Sequence, residues 1–532
     1  MSLINNKLII IALLGSSVVA NDVTVSSDEW KINGKVNAYL QNINVVGRGD
    51  STGRKGTTHN EELSINAQKK AFDGTLGVNV RVRGTNDKRI QRDGAELLYL
   101  RTFYKDKAWN LEAGDVASSL NPYVFSGTLK GAKVVYKDKG KKNVFDYTII
   151  GGAIKPRWRD LYNGDADERA TAYAGAFAIK YRYERAKELR LTLSAYKDDI
   201  ASAGSAVEID GKQGYSIGLD GKWRFNKYVT LKGYGAYNKG TKDIRRHHGP
   251  YQDSGAITLK LLTRPILRTL KSNFTYQRVS SKFISLGGVG ASDKEQLENS
   301  TQWRINKRLK AQVDLKARRD NVDNPDLNAT RHTYYERATL TYYPEFARRT
   351  TLQARFFNKD IRGRGADNNT HDAAIDITVR TKDGWRYGGG YEYTRFRDDA
   401  ISPVKTTYTN NLNLMLAYKH SISKSRSYRL SCRTSYRSIS SSQDTIGLKL
   451  DAGYTHNKKL SANLFYLLNT TDREVSNDTK NETYQFRATY RLDESGKNIV
   501  RLLLEKRDVN VDNTPSSSYD EYIQKVSLVM NF

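Results

Sequence analysis

From Trp30 to Phe532 the chain repeats one pattern, apolar residues at alternate positions in pieces of roughly ten residues. The first piece sets Trp30, Ile32, Gly34, Val36, Ala38 and Leu40 against Lys31, Asn33, Lys35, Asn37, Tyr39 and Gln41. Gln213 to Phe225 sets Tyr215, Ile217, Leu219, Trp223 and Phe225 against Ser216, Asp220, Lys222 and Arg224. Arg308 to Arg318 alternates Leu309, Ala311, Val313, Leu315 and Ala317 with Lys310, Gln312, Asp314, Lys316 and Arg318. A period of two belongs to extended backbone, whose side chains point to opposite faces in turn. Such a chain folds as sheet with one apolar and one polar side.

Turn residues punctuate the pieces in a rhythm. Short turns fall at Phe72-Asp73-Gly74, near Asn226-Lys227 and Asn306-Lys307, and from Asp493 to Lys497. Longer polar stretches run from Ile43 to Asn60, Lys155 to Ala170, Arg319 to Arg331, Asn358 to Thr370 and Thr470 to Thr483. Counted this way the chain holds about 26 strands (range about 22–26), with short and long connections in strict alternation. Beside the short turns the apolar face carries Trp30, Tyr136, Tyr183, Trp223, Trp303, Trp385, Tyr418, Tyr428 and Tyr454. Aromatic rings at one level of a wall suit a membrane interface. A soluble sandwich has no use for that girdle, and a solenoid would show a fixed repeat period, which the sequence lacks.

A mean hydropathy of −0.68 would exclude a helical membrane protein. It does not exclude a membrane sheet, because alternation hides apolar positions from averaged hydropathy. No segment beyond the N-terminus approaches the roughly 20 consecutive apolar residues of a spanning helix. Lys7, the apolar run Leu8 to Leu14 and the small residues up to Ala20 read as a secretory signal peptide. The expected organisation is a signal peptide at 1–20, a short periplasmic segment at 21–29 and a barrel at 30–532. The single cysteine, Cys432, leaves no internal disulfide or thiolate metal cluster and sits on the apolar face of its strand.

The last piece, Tyr522 to Phe532, puts Tyr522, Val526, Leu528, Met530 and Phe532 on one face. An alternating final strand ending in Phe resembles the C-terminal signature of Gram-negative outer-membrane β-barrels, which the barrel-assembly machinery reads. The resemblance implies an all-β chain, a single closed antiparallel transmembrane β-barrel with short periplasmic turns and long extracellular loops. It implies residence in the bacterial outer membrane, against membrane lipid and lipopolysaccharide. In such a barrel the last strand pairs with Trp30 to Gln41, and Phe532 faces lipid at the periplasmic rim. The strand count is similar to that of the large porins that enclose multihaem cytochromes, although Cys-x-x-Cys is absent. It also matches the lipopolysaccharide-inserting barrel, whose periplasmic domain and cysteines have no counterpart in this sequence.

If the apolar face meets lipid, the other face lines the lumen. It carries Lys31, Lys35, Arg81, Arg83, Lys180, Arg182, Lys222, Arg224, Lys310, Lys316, Arg318, Arg337, Arg355, Arg429, Arg433, Arg487, Arg491 and Arg501. Lys and Arg number 87 against 58 Asp and Glu, a net charge of +29. Much of that excess points inward, so the lumen should attract anions. The plainer alternative is that these charges balance one another or face phosphate head groups at the rim.

A cylinder of 26 strands is about 50 Å across, wider than a small solute requires. The stretch Val116 to Gly127 is a candidate constriction, since Leu120, Tyr123 and Phe125 are apolar for a solvated loop. Asp320, Asp323 and Asp326 could hold Ca²⁺ through loop oxygens, but acidic turn chemistry is the default, and no cofactor is assigned. No Ser, His and Asp constellation suggests an enzyme, and an exported basic chain gives no reason to invoke nucleic acid. The expected function is a porin-like channel for an anionic solute or polymer. A scaffold sheathing a periplasmic protein partner, such as a multihaem cytochrome for electron transfer, is the alternative. A surface adhesin or structural barrel is a third.

Overall fold

The computed structural model describes residues 30–532 except for 48–54, 89, 91–93, 139, 141–142, 155–157, 159–170, 184–185, 203–210, 242–243, 245–250, 265–268, 285–292, 324–329, 348, 424, 441, 458 and 475. The signal peptide and the segment 21–29 lie outside the described residues. The strands form one 26-stranded antiparallel sheet in which sequence neighbours pair. The first strand, β1 (Lys31–Gly47), and the last, β26 (Tyr519–Asn531), also pair, from Lys35 opposite Asn531 to Gly47 opposite Tyr519. The sheet is therefore a closed barrel. Closure gives every strand a paired neighbour on each side, the condition a sheet must meet to cross a bilayer.

The period of two becomes the two faces of the wall. On β10 (Gln213–Arg224) Tyr215, Ile217, Leu219 and Trp223 are exposed, while Ser216 and Asp220 between them are buried. The same exposed apolar face recurs with Leu189, Leu191 and Leu193, with Ile375 and Ile377, and with Leu412, Leu414 and Leu416. Near the short turns this outer band ends in aromatic rings. Trp385 packs on Tyr418 at 4.5 Å between centroids, and Tyr418 on Tyr428 at 5.9 Å. The Lys187 ammonium lies 4.4 Å from the Trp223 ring centre, and that of Lys69 lies 5.3 Å from Trp30. Such lysines run their stems along the rings and carry charge towards the head groups.

The alternation of long and short connections breaks down in the second half. β17 (Thr350–Gly363) and β18 (Ala366–Arg380) run through the stretch expected as a loop from Asn358 to Thr370. Only Arg364 and Gly365 join them, with φ of 49° and 70°. Likewise β23 (Leu460–Arg473) and β24 (Thr479–Arg491) occupy most of Thr470 to Thr483; in the first half β1 and β2 (Gly56–Ala71) extend only into the two ends of Ile43 to Asn60. Polarity misled the reading here. Beyond the apolar band the outward positions become charged, as in Asp360 with Arg362 at 2.8 Å and Glu482 with Lys480 at 3.3 Å. The ladder continues because its hydrogen bonds do not depend on what the side chains face.

Candidate functional site

The lumen contains a strand hairpin of the chain itself. β4 (Ala95–Lys105) pairs with β5 (Trp109–Asn121) only as far as Arg101 opposite Gly114. β6 (Phe125–Lys137) pairs with β7 (Val144–Ile154) only as far as Lys130 opposite Ala153. Past those points β5 and β6 leave the wall and pair with each other alone, up to Asn121 opposite Phe125. The stretch expected as a loop from Val116 to Gly127 is thus mostly paired strand, turned inward. The apolar Leu120, Tyr123 and Phe125 of this candidate constriction form the face of the hairpin that docks on the wall.

Glycines make the bend. Gly114 stands opposite Gly131, and Gly131 opposite Gly152. Gly114 has a φ of 99°, and a Cβ there would come within 2.2 Å of the Leu100 carbonyl oxygen. One on Gly131 would lie 2.0 Å from the Gly151 oxygen. The Leu100 amide, which β5 would serve had it stayed in the wall, donates to Asp115 Oδ2 at 2.7 Å. The same carboxylate accepts from Trp158 Nε1 at 2.6 Å and pairs with Lys130 Nζ at 2.8 Å. Both ions are buried, and these added bonds are what make burial of the pair tolerable.

The hairpin lies on the inner wall from β7 across β8 (Thr171–Tyr183), β9 (Lys187–Asp199), β10, β11 (Val229–Thr241) and β12 (Gln252–Thr263) to β13 (Leu270–Val279). Val116, Leu120, Val124, Phe125 and Leu129 pack on Ile150, Ala174, Ala176 and Ala178. Tyr123 packs with Ala256, Val279 and Phe283. Burial of side chains as large as Phe125 and Leu129 is worth roughly 1.5–3 kcal/mol each, enough to hold the hairpin down. Polar bonds fix its tip. Asn121 Nδ2 donates to the Gly235 oxygen at 3.3 Å and to Asp220 Oδ1 at 3.4 Å. Ser194 Oγ donates to the Val124 oxygen at 3.1 Å. The Tyr123 hydroxyl bonds the Thr258 hydroxyl and accepts from Gln277 Nε2 at 2.7 Å. The opposite face of the hairpin carries the small side chains Ala117, Ser119 and Thr128 and is open, while cations bond its backbone, Lys133 Nζ donating to the Ala117 oxygen at 2.8 Å and Arg190 to the Ser119 oxygen at 3.3 Å.

Because the hairpin covers Ser216, Gly218 and Asp220, their face of the wall is the lumen. The cations read from the sequence fall on that face. Many are paired: Arg81 and Arg83 with Glu62 at 3.4 and 3.6 Å, and Lys180 and Lys222 with Glu188 at 3.3 and 4.0 Å. Arg182 meets Asp146 at 2.9 Å, Lys316 meets Glu298 at 2.7 Å, Arg355 meets Asp376 at 3.1 Å and Arg429 meets Asp451 at 2.6 Å. Among the described residues no carboxylate pairs with Lys31, Lys35, Arg224, Lys310, Arg318, Arg337, Arg433, Arg487 or Arg501. Lys310 instead lies 5.1 Å from the Tyr343 ring centre. Arg491 points into the lumen from β24.

The acidic loop residues are turned to protein donors. Asp320 Oδ1 accepts from the Arg331 amide at 2.7 Å. Asp323 Oδ2 accepts from Ser280 Oγ at 2.5 Å and from the amide and hydroxyl of Ser281 at 2.8 Å each. Asp326 lies outside the described residues. On the outer face Tyr522 and Val526 of β26 are exposed and Phe532 is 39% exposed. Leu528 and Met530 share that face, Met530 buried at 9%. Cys432 lies on the same outer side of its own strand, between Leu430 and Tyr436.

A closed wall, an apolar outer band between polar ends and a charged inner face decide the class. The molecule is a membrane-spanning β-barrel of the outer-membrane type. No family model and no curated protein matches the chain. Among solved structures it is similar in fold to the ferric enterobactin receptor PfeA from Pseudomonas aeruginosa, at 8% identity and a TM-score of 0.42, covering 96% of this chain and 81% of that one. It is similar also to the siderophore receptor PirA from Pseudomonas aeruginosa, at 10% identity and a TM-score of 0.40, covering 95% and 81%. The P pilus usher PapC translocation pore aligns at 9% identity and a TM-score of 0.38, covering 94% and 99%.

Proposed function

We propose that the barrel is a porin-like channel of the bacterial outer membrane, narrowed by its infolded hairpin and favouring anionic solutes. One observation carries this reading: a set of lumen-facing Lys and Arg side chains that have no carboxylate partner among the described residues, spread round the wall on Lys31, Lys35, Arg224, Lys310, Arg318, Arg337, Arg433, Arg487 and Arg501. Paired cations contribute little net field. Unpaired ones along a wet wall with a lipid-backed exterior raise the local concentration of anions and repel cations.

The hairpin supports passage of solutes rather than large folded cargo. Its docked face covers the wall from β7 to β13, and its free face offers only small uncharged side chains. Solutes therefore pass between a surface of small side chains on the hairpin and a cationic wall on the other side. No chemical step is assigned to the site. Liposome swelling with the purified full chain tests the proposal: sugar acids should enter faster than neutral sugars of similar size, and amino sugars more slowly. Equal entry of all three would remove the basis for charge selection.

A further inference from the structure

We propose that a recess in the lumen wall between β18 and β23 is a binding site for a small hydroxylated anion of the sugar-acid class; this rests on the channel reading above. The strands are β18, β19 (Trp385–Asp398), β20 (Lys405–Ser421), β21 (Arg426–Ile439), β22 (Gln443–His456) and β23. The recess has a volume of about 530 Å³, within the roughly 300–1,000 Å³ of small-ligand sites. It lies on the side of the lumen away from the hairpin's footprint.

Glycines lower its floor. Gly390 stands opposite Asp376 on one side and Asn413 on the other, and Asn413, Ser435, Gly447 and Asn469 continue the same row across the next strands. The missing side chains leave space that neighbouring oxygens approach. The place of a Cβ on Gly390 is 2.4 Å from Asp376 Oδ1, and that on Gly447 is 2.5 Å from Ser435 Oγ and 3.1 Å from Asn469 Oδ1. One residue lower on each strand face, Met415 stands opposite Arg433 and Arg433 opposite Lys449. Arg386 also lines the recess. Among the described residues none of Arg386, Arg433 and Lys449 has a carboxylate partner.

This pairing of groups defines the ligand. The three cations suit one compact anionic group, and Arg can meet a carboxylate with two parallel hydrogen bonds. The oxygens of Asp376, Ser435, Asn413 and Asn469 accept hydrogen bonds from hydroxyls, and the two amides also donate. A bare inorganic anion would leave the acceptors unused, and a neutral sugar would leave the cations unused. A polyol bearing a carboxylate uses both.

Isothermal titration of the detergent-solubilised full chain with gluconate, glucose and acetate is the direct test. Gluconate should bind saturably and at least about ten-fold more tightly than either of the others. R433Q/K449Q should weaken gluconate about ten-fold or more, and S435A/N469A should bring gluconate close to acetate. R308Q/R349Q, which removes the same charge from the short turns, should leave gluconate binding unchanged. Equal binding of gluconate by wild type and R433Q/K449Q, or no saturable binding, overturns the site. These readouts need no conductance, so they stand apart from liposome swelling: charge-selective entry without gluconate binding rejects the site alone, and gluconate binding without charge-selective entry rejects the channel reading alone.

Discussion

Phe532 and Gly34 exchange both backbone hydrogen bonds, Phe532 N to Gly34 O at 3.0 Å and Gly34 N to Phe532 O at 2.7 Å, and the Phe532 ring occupies the space over the glycine. A Cβ on Gly34 would come within 2.0 Å of that ring. The contact lies at the seam where the last strand meets the first, so it acts on closure. G34V and F532A should both lower the fraction of barrel that migrates as a compact, heat-modifiable species on unheated gels, G34V several-fold. Normal migration of both variants would show that the seam closes without this contact.

Gly218 and Val124 form the corresponding contact inside. A Cβ on Gly218 would lie 2.5 Å from Val124 Cγ2. G218V should lift the hairpin tip from the wall and raise single-channel conductance with added open-channel noise. Y123F removes the hydroxyl bonded by Thr258 and Gln277, a loss of about 1–2 kcal/mol for a buried pair of bonds. It should make hairpin excursions roughly ten-fold more frequent at 25 °C. Conductance and noise identical to wild type in both variants would mean that the hairpin does not border the conducting path.

The strand number, closure and the two faces of the wall were legible because one physical signal, alternation between lipid and water, runs through all of them. Trp30, Trp223 and Tyr418 stand where that signal places them. Two things were less legible. Asp360 and Arg362 lie in paired strand although their polarity resembles a loop, because the ladder outlasts the apolar band. The hairpin was visible only as the odd apolar content of Leu120, Tyr123 and Phe125. Its footprint is marked in the sequence by the inward positions Ala174, Ala176, Ala178, Ser216, Gly218, Ala236 and Ala256, all small, which make room for a second layer. Which cations are paired could not be read at all, since pairing needs the register between strands.

Asp323 offers a pH test outside the membrane. Burial opposes its ionisation, but the hydroxyl and amide bonds from Ser280 and Ser281, with Arg278 nearby, outweigh it and hold its carboxyl below the usual aspartate range. A depressed folded-state pKa means that this contribution is complete above the unfolded-state value and fades as pH falls through the folded one. Hydrogen exchange at Ser281, corrected for intrinsic rates, should stay slow down to the ordinary aspartate pKa and accelerate only below it. In D323N the amide should exchange fast at neutral pH as well. Acceleration in the wild type at or above the ordinary aspartate pKa would contradict the assignment.

A solvated, unpaired cationic face is the centre of the account, and the zero-current potential across a planar bilayer tests it most directly. Under a ten-fold KCl gradient the wild-type barrel should give a potential of the sign set by chloride. R318Q/R337Q/R433Q/R487Q/R501Q, which removes unpaired cations while sparing the paired ones, should move that potential towards zero. A wild-type potential of the sign set by potassium, or one that the five substitutions leave unchanged, would contradict an anion-favouring lumen.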